Sequence, residues 1–388
     1  MNLLLTFTNT VSLREWDKIG ILDREVLLYK KLSQKGISVT FLTYGDKSDL
    51  LYSNSLKDIN IIPIKDKTEL KTLPFIRTIL FPPFNYKIFK NIDIIKTNQM
   101  GGSWITWLLK ILYRKKIILR CGYETYKNEL YEYRKLAKHK RALMRLLFLY
   151  ITEWISYVLA NHIIVSNNFD KNFIINTFKM NFNKISIIPN IIDTKVFDRI
   201  PTEKKAKSVL FIGRLDEAKN LENLIESFKY LEDYTLDIVG KGHLEPLLRS
   251  LVEKSKLQSN INFLGNLHNS EIPKLINQYH VFILPSHWEG NPKTLLEAMS
   301  CGIACIGSNT PGIKEIIKHK KNGYLCNFDS ESIANAIRRV YEDTELRKKL
   351  GYNARNYIMK NNSCNTIVER ETKIYQSLLK PKKMFQNT

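Results

Sequence analysis

Cysteine is scarce in this sequence: five in 388 residues, at positions 121, 301, 305, 326 and 364. The count is odd and no two form a C-x-x-C pair, which argues against a disulfide framework and against a zinc site. Long apolar runs are missing as well. The best stretch, 142–160, is interrupted by Arg145 and Glu153, whereas a membrane helix needs about 20 predominantly apolar residues. No basic lead-in precedes the short run Leu3-Leu4-Leu5, so a secretory signal is not expected. These absences predict a cytoplasmic protein without a membrane span. With 16 Gly, 12 Pro and 44% hydrophobic residues, the composition excludes collagen-like, mucin-like and broadly disordered chains. Acid is the last shortage. Thirty-eight Asp+Glu face 60 Lys+Arg, a net charge of +22, which suits anionic partners such as nucleotides, phosphates or lipid headgroups. A Lys-, Ile- and Asn-rich composition with solvated lysines would give the same number. No nucleic-acid reader module is visible, so nucleic acid is not an expected partner.

What is present is alternation. Short β-branched runs alternate with longer helical patterns, the mark of βαβ units and parallel sheets. Strands are predicted at 2–8, 38–44, 59–64, 93–97, 116–121, 162–166 and 185–189, then at 208–213, 235–239, 261–264, 281–285, 304–308 and 323–326. Helices fit at 22–34, 102–113 and 128–159, and in the second half at 220–230, 244–257, 270–278, 292–300, 311–318, 329–343, 345–359 and 363–379. The fold class is α/β, with two Rossmann-like doubly wound domains facing each other across a cleft, where the carboxyl ends of such strands bind ligands. The expected divisions are 1–190, a polar linker at 191–206, 207–362, and a tail at 363–388 that packs back on the first domain.

The stretch 281–299 is the most informative. A buried strand, Val281-Phe282-Ile283-Leu284, ends at Pro285 and the loop Ser286-His287-Trp288-Glu289-Gly290. Asn291 then suits an N-cap and Pro292 a first helical position. The helix start offers free N–H groups and partial positive charge to an anion. Glu289 and Glu297 could grip two separate sets of hydroxyls, although spacing alone reads Glu297 equally well as an ordinary exposed helix residue. Arg214 and Lys219 follow the strand at 208–213 and could clamp a diphosphate, Arg as a planar fork and Lys as a point charge. Such pairs are also common as solvated charges. Gly240-Lys241-Gly242 would let the backbone approach a ligand. No cluster of metal ligands appears, so no metal or other cofactor is expected.

In order, these segments resemble the nucleotide-binding half of glycosyltransferase family 4, the retaining, nucleotide-sugar-dependent group 1 enzymes of GT-B fold. The pieces that match are Gly213-Arg214-Leu215 with Lys219-Asn220, Ile238-Val239-Gly240-Lys241-Gly242 and Phe263-Leu264-Gly265. Pro285-Ser286 with Glu289-Gly290-Asn291-Pro292 through Glu297-Ala298-Met299, then Gly302, Pro311-Gly312-Ile313-Lys314-Glu315 and Asn322-Gly323-Tyr324-Leu325 complete the series. Ile188-Pro189-Asn190-Ile191-Ile192-Asp193 with Phe197 resembles the family's interdomain segment, with Ile191 at a usual glycine. The resemblance implies that residues 1–190 bind the acceptor and 207–362 the nucleotide sugar. It implies that Arg214 and Lys219, beside Gly213, hold the donor diphosphate, and that Glu297 takes the ribose hydroxyls. Glu289, Gly290, Asn291 and Pro292 would face the donor sugar, with Thr294 and Gly240 beside the donor and Leu267 near the base. Glu289, Arg214 and Lys219 are then the catalytic candidates. The reaction implied is sugar transfer to an acceptor hydroxyl with retention, on a glycan or lipid-linked glycan in surface polysaccharide or lipopolysaccharide assembly. Two alternatives remain: a nucleotide-sugar epimerase of the same fold and a non-catalytic sugar-nucleotide binder. The family's usual histidine after the strand 116–121 is absent; Arg120-Cys121-Gly122-Tyr123-Glu124 stands there.

Charge is concentrated. Residues 71–150 hold 17 Lys+Arg against four Asp+Glu, a surplus of 13, interleaved with Trp104, Trp107, Leu147 and Phe148. Such a surface can rest peripherally on anionic membrane at its inner face, with Lys135, Lys138, Lys140 and Arg141 as basic contacts. Solvated faces of core-packing helices are the other reading.

Overall fold

The computed structural model describes residues 1–65, 80–122, 124–135 and 140–380. The chain divides into two compact units, Met1–Ile188 with Val368–Thr388, and Pro189–Ile367. Among the described residues the first unit holds strands β1 (Asn2–Thr6), β2 (Ser38–Thr43), β3 (Ile59–Pro63), β4 (Ile94–Thr97), β5 (Lys116–Cys121), β6 (His162–Val165) and β7 (Ile185–Ile187). The second holds β8 (Ser208–Ile212), β9 (Thr235–Val239), β10 (Ile261–Gly265), β11 (Val281–Leu284), β12 (Ala304–Ser308) and β13 (Tyr324–Cys326). The sheets run β3-β2-β1-β4-β5-β6-β7 and β10-β9-β8-β11-β12-β13. Neighbours pair in parallel, as in Val209 against Leu236 and Val281. Strands covered by helices on both faces must be apolar throughout; hence β8 and β11 are buried at every position.

Each order reverses once, between β1 and β4 and between β8 and β11. A doubly wound sheet opens a crevice at that reversal, at the strands' carboxyl ends.

The predicted strands are found within a residue or two. The helix predicted over 128–159 is two, Thr125–Lys135 and Lys140–Leu159, and 136–139 lie outside the described residues. The side chains of Lys135, Lys138, Lys140 and Arg141 also lie outside them. Among the described residues, Ala142–Leu159 is long and apolar enough to cross a membrane by length and composition alone, with Arg145 and Glu153 as its two charges. The helix Asn168–Phe178 was not predicted. It buries Asp170, Ile174 and Phe178 one turn apart, so its inward stripe starts on a charge. Lys127 and Asn167 satisfy that carboxylate.

The stretch predicted as a linker belongs to the second unit, because its apolar residues are used there. Ile192 and Phe197 sit in that unit's core, and Ile192 N–H donates to Asn362 O at 2.9 Å. From Val368 onward the last helix, Cys364–Leu379, contributes to the first unit. Lys96 Nζ on β4 lies 2.6 Å from Glu371 Oε1, and both side chains are inaccessible to solvent. Tyr375 donates to the other oxygen of Glu371 at 2.6 Å.

Candidate active site

The reversal between β8 and β11 places two loops side by side, residues 213–220 and 285–292. Main-chain bonds fix the first loop to its neighbours. Gly213 N–H donates to Val239 O at 3.0 Å, Leu215 N–H to Lys241 O at 3.1 Å, and Gly240 N–H to Gly265 O at 2.8 Å. Gly240 has φ +138°, and a Cβ there would fall 1.8 Å from Gly213 O. The missing side chain therefore makes room for the neighbouring loop's carbonyl.

The second loop is tied to the first. His287 N–H donates to Ala218 O at 2.8 Å. Asn220, held at φ +55°, donates through Nδ2 to Pro285 O at 3.2 Å and to Phe328 O at 2.8 Å. Asn tolerates this left-handed conformation better than most residues, through local hydrogen bonding. On the far side, a Cβ on Gly312 would meet Glu289 O at 2.1 Å, so the start of the helix Pro311–Ile316 packs against the backbone of 289–290.

This frame brings Lys219 and Glu289 together. Lys219 Nζ is 2.5 Å from Glu289 Oε1, with side chains only 13% and 11% exposed. Ser286 Oγ donates to the same oxygen at 2.9 Å. A carboxylate held by an ammonium and a hydroxyl is fixed in place and keeps its second oxygen for a further donor. Arg214 is not part of that pair. Its side chain is 77% exposed, and Nη2 lies 3.1 Å from Asp216 Oδ2. Of the two cations expected to act together, one is enclosed and the other stands in solvent at the rim of the same loop.

Glu297 sits on the helix Lys293–Ser300 and is 2% exposed, which overturns its reading as an ordinary surface residue. A carboxylate is not buried without cost. Thr294 and Gly290 are half-buried and Pro292 is buried. Asn291 does not cap the helix. Pro292 occupies the cap position, and the Asn291 side-chain oxygen accepts from Asn190 N–H at 2.8 Å. Asn190 Nδ2 returns a bond to Asn291 O at 2.7 Å. The reason is competition: the Asn190 amide takes the acceptor that a cap would use. Leu267 packs against the core beyond β10, two strands from the reversal. Ser286, Asn220 and Asn190 had no assigned role in the sequence reading. Each stands inside a segment that matched the family pattern, Lys219-Asn220, Pro285-Ser286 and Ile188-Pro189-Asn190, without a role of its own.

At the first unit's reversal, Asn9 N–H donates to Gly101 O at 3.1 Å, and Gln99 Oε1 accepts from Gly122 N–H at 2.9 Å. Past β5, where Tyr123 lies outside the described residues, Glu124 is buried. It accepts from Tyr157 and, at 2.8 Å, from Cys121 Sγ. Glu153 accepts Tyr126 N–H at 2.9 Å. Burial, and then the Glu124 charge, push the Glu153 carboxyl up to about 9. Burial raises Glu124 as well. One oxygen of each is buried without a hydrogen bond. Among the described residues, no three His, Cys, Asp or Glu side chains are grouped to hold a metal ion.

Two family models match the chain: "Glycosyltransferase Family 4" over residues 26–196 and "Glycosyl transferases group 1" over 193–357. An Escherichia coli UDP-Gal:alpha-D-GlcNAc-diphosphoundecaprenol alpha-1,3-galactosyltransferase is 32% identical over 257 residues, covering 61% of this chain and 64% of the relative. A Bacillus anthracis N-acetyl-alpha-D-glucosaminyl L-malate synthase is 29% identical over 212 residues, covering 51% and 55%. The chain thus spans little more than half the length of these relatives. A solved glycosyltransferase from Rickettsia africae ESF-5 superposes with a TM-score of 0.74 at 19% identity, over 98% of this chain and 99% of that one. Anabaena HepE in complex with UDP gives 0.75 at 15% identity, over 97% and 100%. The likeness to both is one of fold: GT-B, built of two Rossmann-like domains.

Proposed function

We propose, for a chain that belongs to the group 1 glycosyltransferases of family 4, that it moves a sugar from a nucleotide-sugar donor to an acceptor hydroxyl with retention of anomeric configuration. The observation that carries this reading is the enclosed Lys219–Glu289 pair at the strand-order reversal of the second unit. Lys219 supplies the positive charge that a departing diphosphate needs, already oriented by Glu289 and so with little reorganisation during reaction. Arg214, exposed on the same loop, turns its fork from Asp216 to the diphosphate once the nucleotide arrives. Glu289 faces the donor sugar, with Gly290, Asn291 and Pro292 as its backbone frame. Glu297, a buried carboxylate on the helix that follows the loop, takes the ribose hydroxyls.

The donor is a nucleoside diphosphate sugar. Support comes from the Escherichia coli relative, whose name gives UDP-Gal as donor, and from HepE bound to UDP. The acceptor is a glycan or lipid-linked glycan in surface polysaccharide or lipopolysaccharide assembly. The Escherichia coli relative's diphosphoundecaprenol acceptor and a Staphylococcus aureus capsular polysaccharide glycosyltransferase that is 27% identical support this class. Basic side chains take the place of a metal at the diphosphate.

A thermal-shift panel of UDP, GDP, ADP and their sugars tests the reading. One nucleoside diphosphate at 100 times its dissociation constant should stabilise the protein by about 2.7 kcal/mol. Lys219→Ala should lose that shift. A panel in which no nucleotide shifts the wild type would sink the proposal.

A further inference from the structure

The helix Lys140–Leu159 carries apolar side chains on both of its faces. Its inner face sets bonded polar groups beside buried Leu146 and the core ring of Tyr157. Ser156 Oγ meets Ser103 Oγ at 2.8 Å and accepts from Trp107 Nε1 at 2.9 Å, Glu153 accepts from Tyr126 N–H, and Tyr157 donates to Glu124. Its outer face is apolar. Leu143, Leu147, Ile151, Trp154 and Val158 follow one another at three- and four-residue steps, all exposed. Met144 and Phe148 flank them, 72% and 66% exposed. At 100° per residue the seven lie within an arc of about 140° on a helix about 30 Å long. Only 22% of the apolar window Ala142–Leu159 is buried. The adjoining helix, Trp104–Tyr113, exposes Ile111 and Leu112 as well. An apolar surface of this extent is not left to water without a partner.

The charge around it says which partner. Lys184 Nζ sits on the helix's last carbonyls, 2.7 Å from Tyr157 O and 2.9 Å from Val158 O. Lys110 Nζ bonds Asn161 just beyond, at 2.6 Å. Burial lowers Lys110 and Lys184; Lys116 then lowers Lys110, and Lys110 lowers Lys184, so the cations crowd one another. Besides Lys96, which is buried against Glu371, residues 80–122 carry seven Lys+Arg and one acidic residue. Aliphatic side chains, a half-exposed Trp and a crowded set of lysines match the acyl edge, interface and headgroups of an anionic leaflet.

We propose that Lys140–Leu159 lies flat on an anionic lipid bilayer, its outer face sunk to the headgroup–acyl boundary while its inner face stays on the domain. A crossing orientation is refused by the inner face, since Glu153, Ser156 and Tyr157 would give up their partners for hydrocarbon. The inference is independent of the transfer reaction and needs no sugar nucleotide.

The test is co-sedimentation of the full chain with vesicles of phosphatidylcholine alone or with about a third phosphatidylglycerol. Binding should require the anionic lipid and fall with salt, as screening shortens to about 3 Å at 1 M. Leu147→Ser with Phe148→Ser should weaken it by about tenfold or more without lowering the thermal midpoint, because neither side chain is in the core. Brominated acyl chains should quench wild type more than Trp154→Phe. Equal binding to both vesicles, none to either, or binding untouched by the double substitution would overturn the proposal. A dimer in sedimentation equilibrium that the double substitution converts to monomer, without an effect on lipid binding, would do so too, assigning the face to a second copy of the chain.

Discussion

Lys219 and Glu289 neutralise each other inside a loop frame that admits little water, whereas Arg214 and Asp216 do so at the surface. The same truncation should therefore have different consequences. Lys219→Ala strands a mostly buried carboxylate and should cost about 3 kcal/mol. Arg214→Ala should stay within about 0.5 kcal/mol of wild type. Both should slow transfer by about 10²–10³, the scale of losing one donor to the leaving charge. Denaturant titrations beside initial rates separate the effects; equal stability losses would deny that Lys219 is enclosed, and normal turnover in both would remove them from the reaction. The carboxylates should divide as well. Glu297→Ala should weaken binding of the free nucleoside diphosphate, while Glu289→Ala should lower turnover and leave that binding largely intact. Calorimetry showing the same loss of diphosphate affinity in both would erase the distinction. Residue types and loop positions made Arg214, Lys219, Glu289 and Glu297 visible in the sequence. Which cation is enclosed was not visible, because it depends on where the backbone of 285–292 runs. That path is set by Asn220, Gly312 and the Ala218–His287 bond, contacts between segments far apart in the chain.

Strands were legible from short β-branched runs, even with Lys96 or Asp237 turned inward, whereas a helix with a charge on its inner stripe was harder to read. Val209–Ile212 of β8 and Val281–Leu284 of β11 announce themselves as unbroken apolar runs, while Asp170 hides Asn168–Phe178 and Glu153 lies on the inner face of Lys140–Leu159. Glu153 leads to a pH prediction. Its folded carboxyl is raised from 4.5 to about 9, so between those values the folded state holds more proton than the unfolded. Stability must fall as pH rises through that window. The contribution is fully present below the unfolded value and lost by about pH 9, the reverse of an acid in a salt bridge. Glu153→Gln keeps an oxygen for Tyr126 N–H and removes the titration. Its stability relative to wild type should thus improve from pH 5 to pH 8.5, read as thermal midpoints across a buffer series. A constant difference over that range would mean that Glu153 titrates normally.

At the scale of the whole chain, the alternation of strand and helix patterns was enough to read two doubly wound units, since each βαβ step is local. The return of the C-terminal helix to the first unit is marked by a buried long-range ion pair. Lys96 and Glu371 are 275 residues apart, both solvent-inaccessible, and bonded at 2.6 Å. Neither is conspicuous in sequence: Lys96 is one cation in a basic chain, and Glu371 stands among alternating charges. Buried pairs punish the loss of one partner more than the loss of both. Glu371→Ala removes the carboxylate that Lys96 and Tyr375 both bond, leaves a buried ammonium without its counter-charge, and should destabilise the first unit by about 3–5 kcal/mol. The double change Lys96→Met with Glu371→Leu removes both charges at similar volume and should recover most of that loss. Hydrogen exchange locates the effect: amides of β1, β4 and β5 should lose protection in Glu371→Ala, while those of β8 and β11 keep theirs. If the double variant were as unstable as the single one, the ion pair would be a true source of stability and not a matched pair of liabilities. If exchange rose equally in both sheets, the final helix would support the whole chain instead of the first unit.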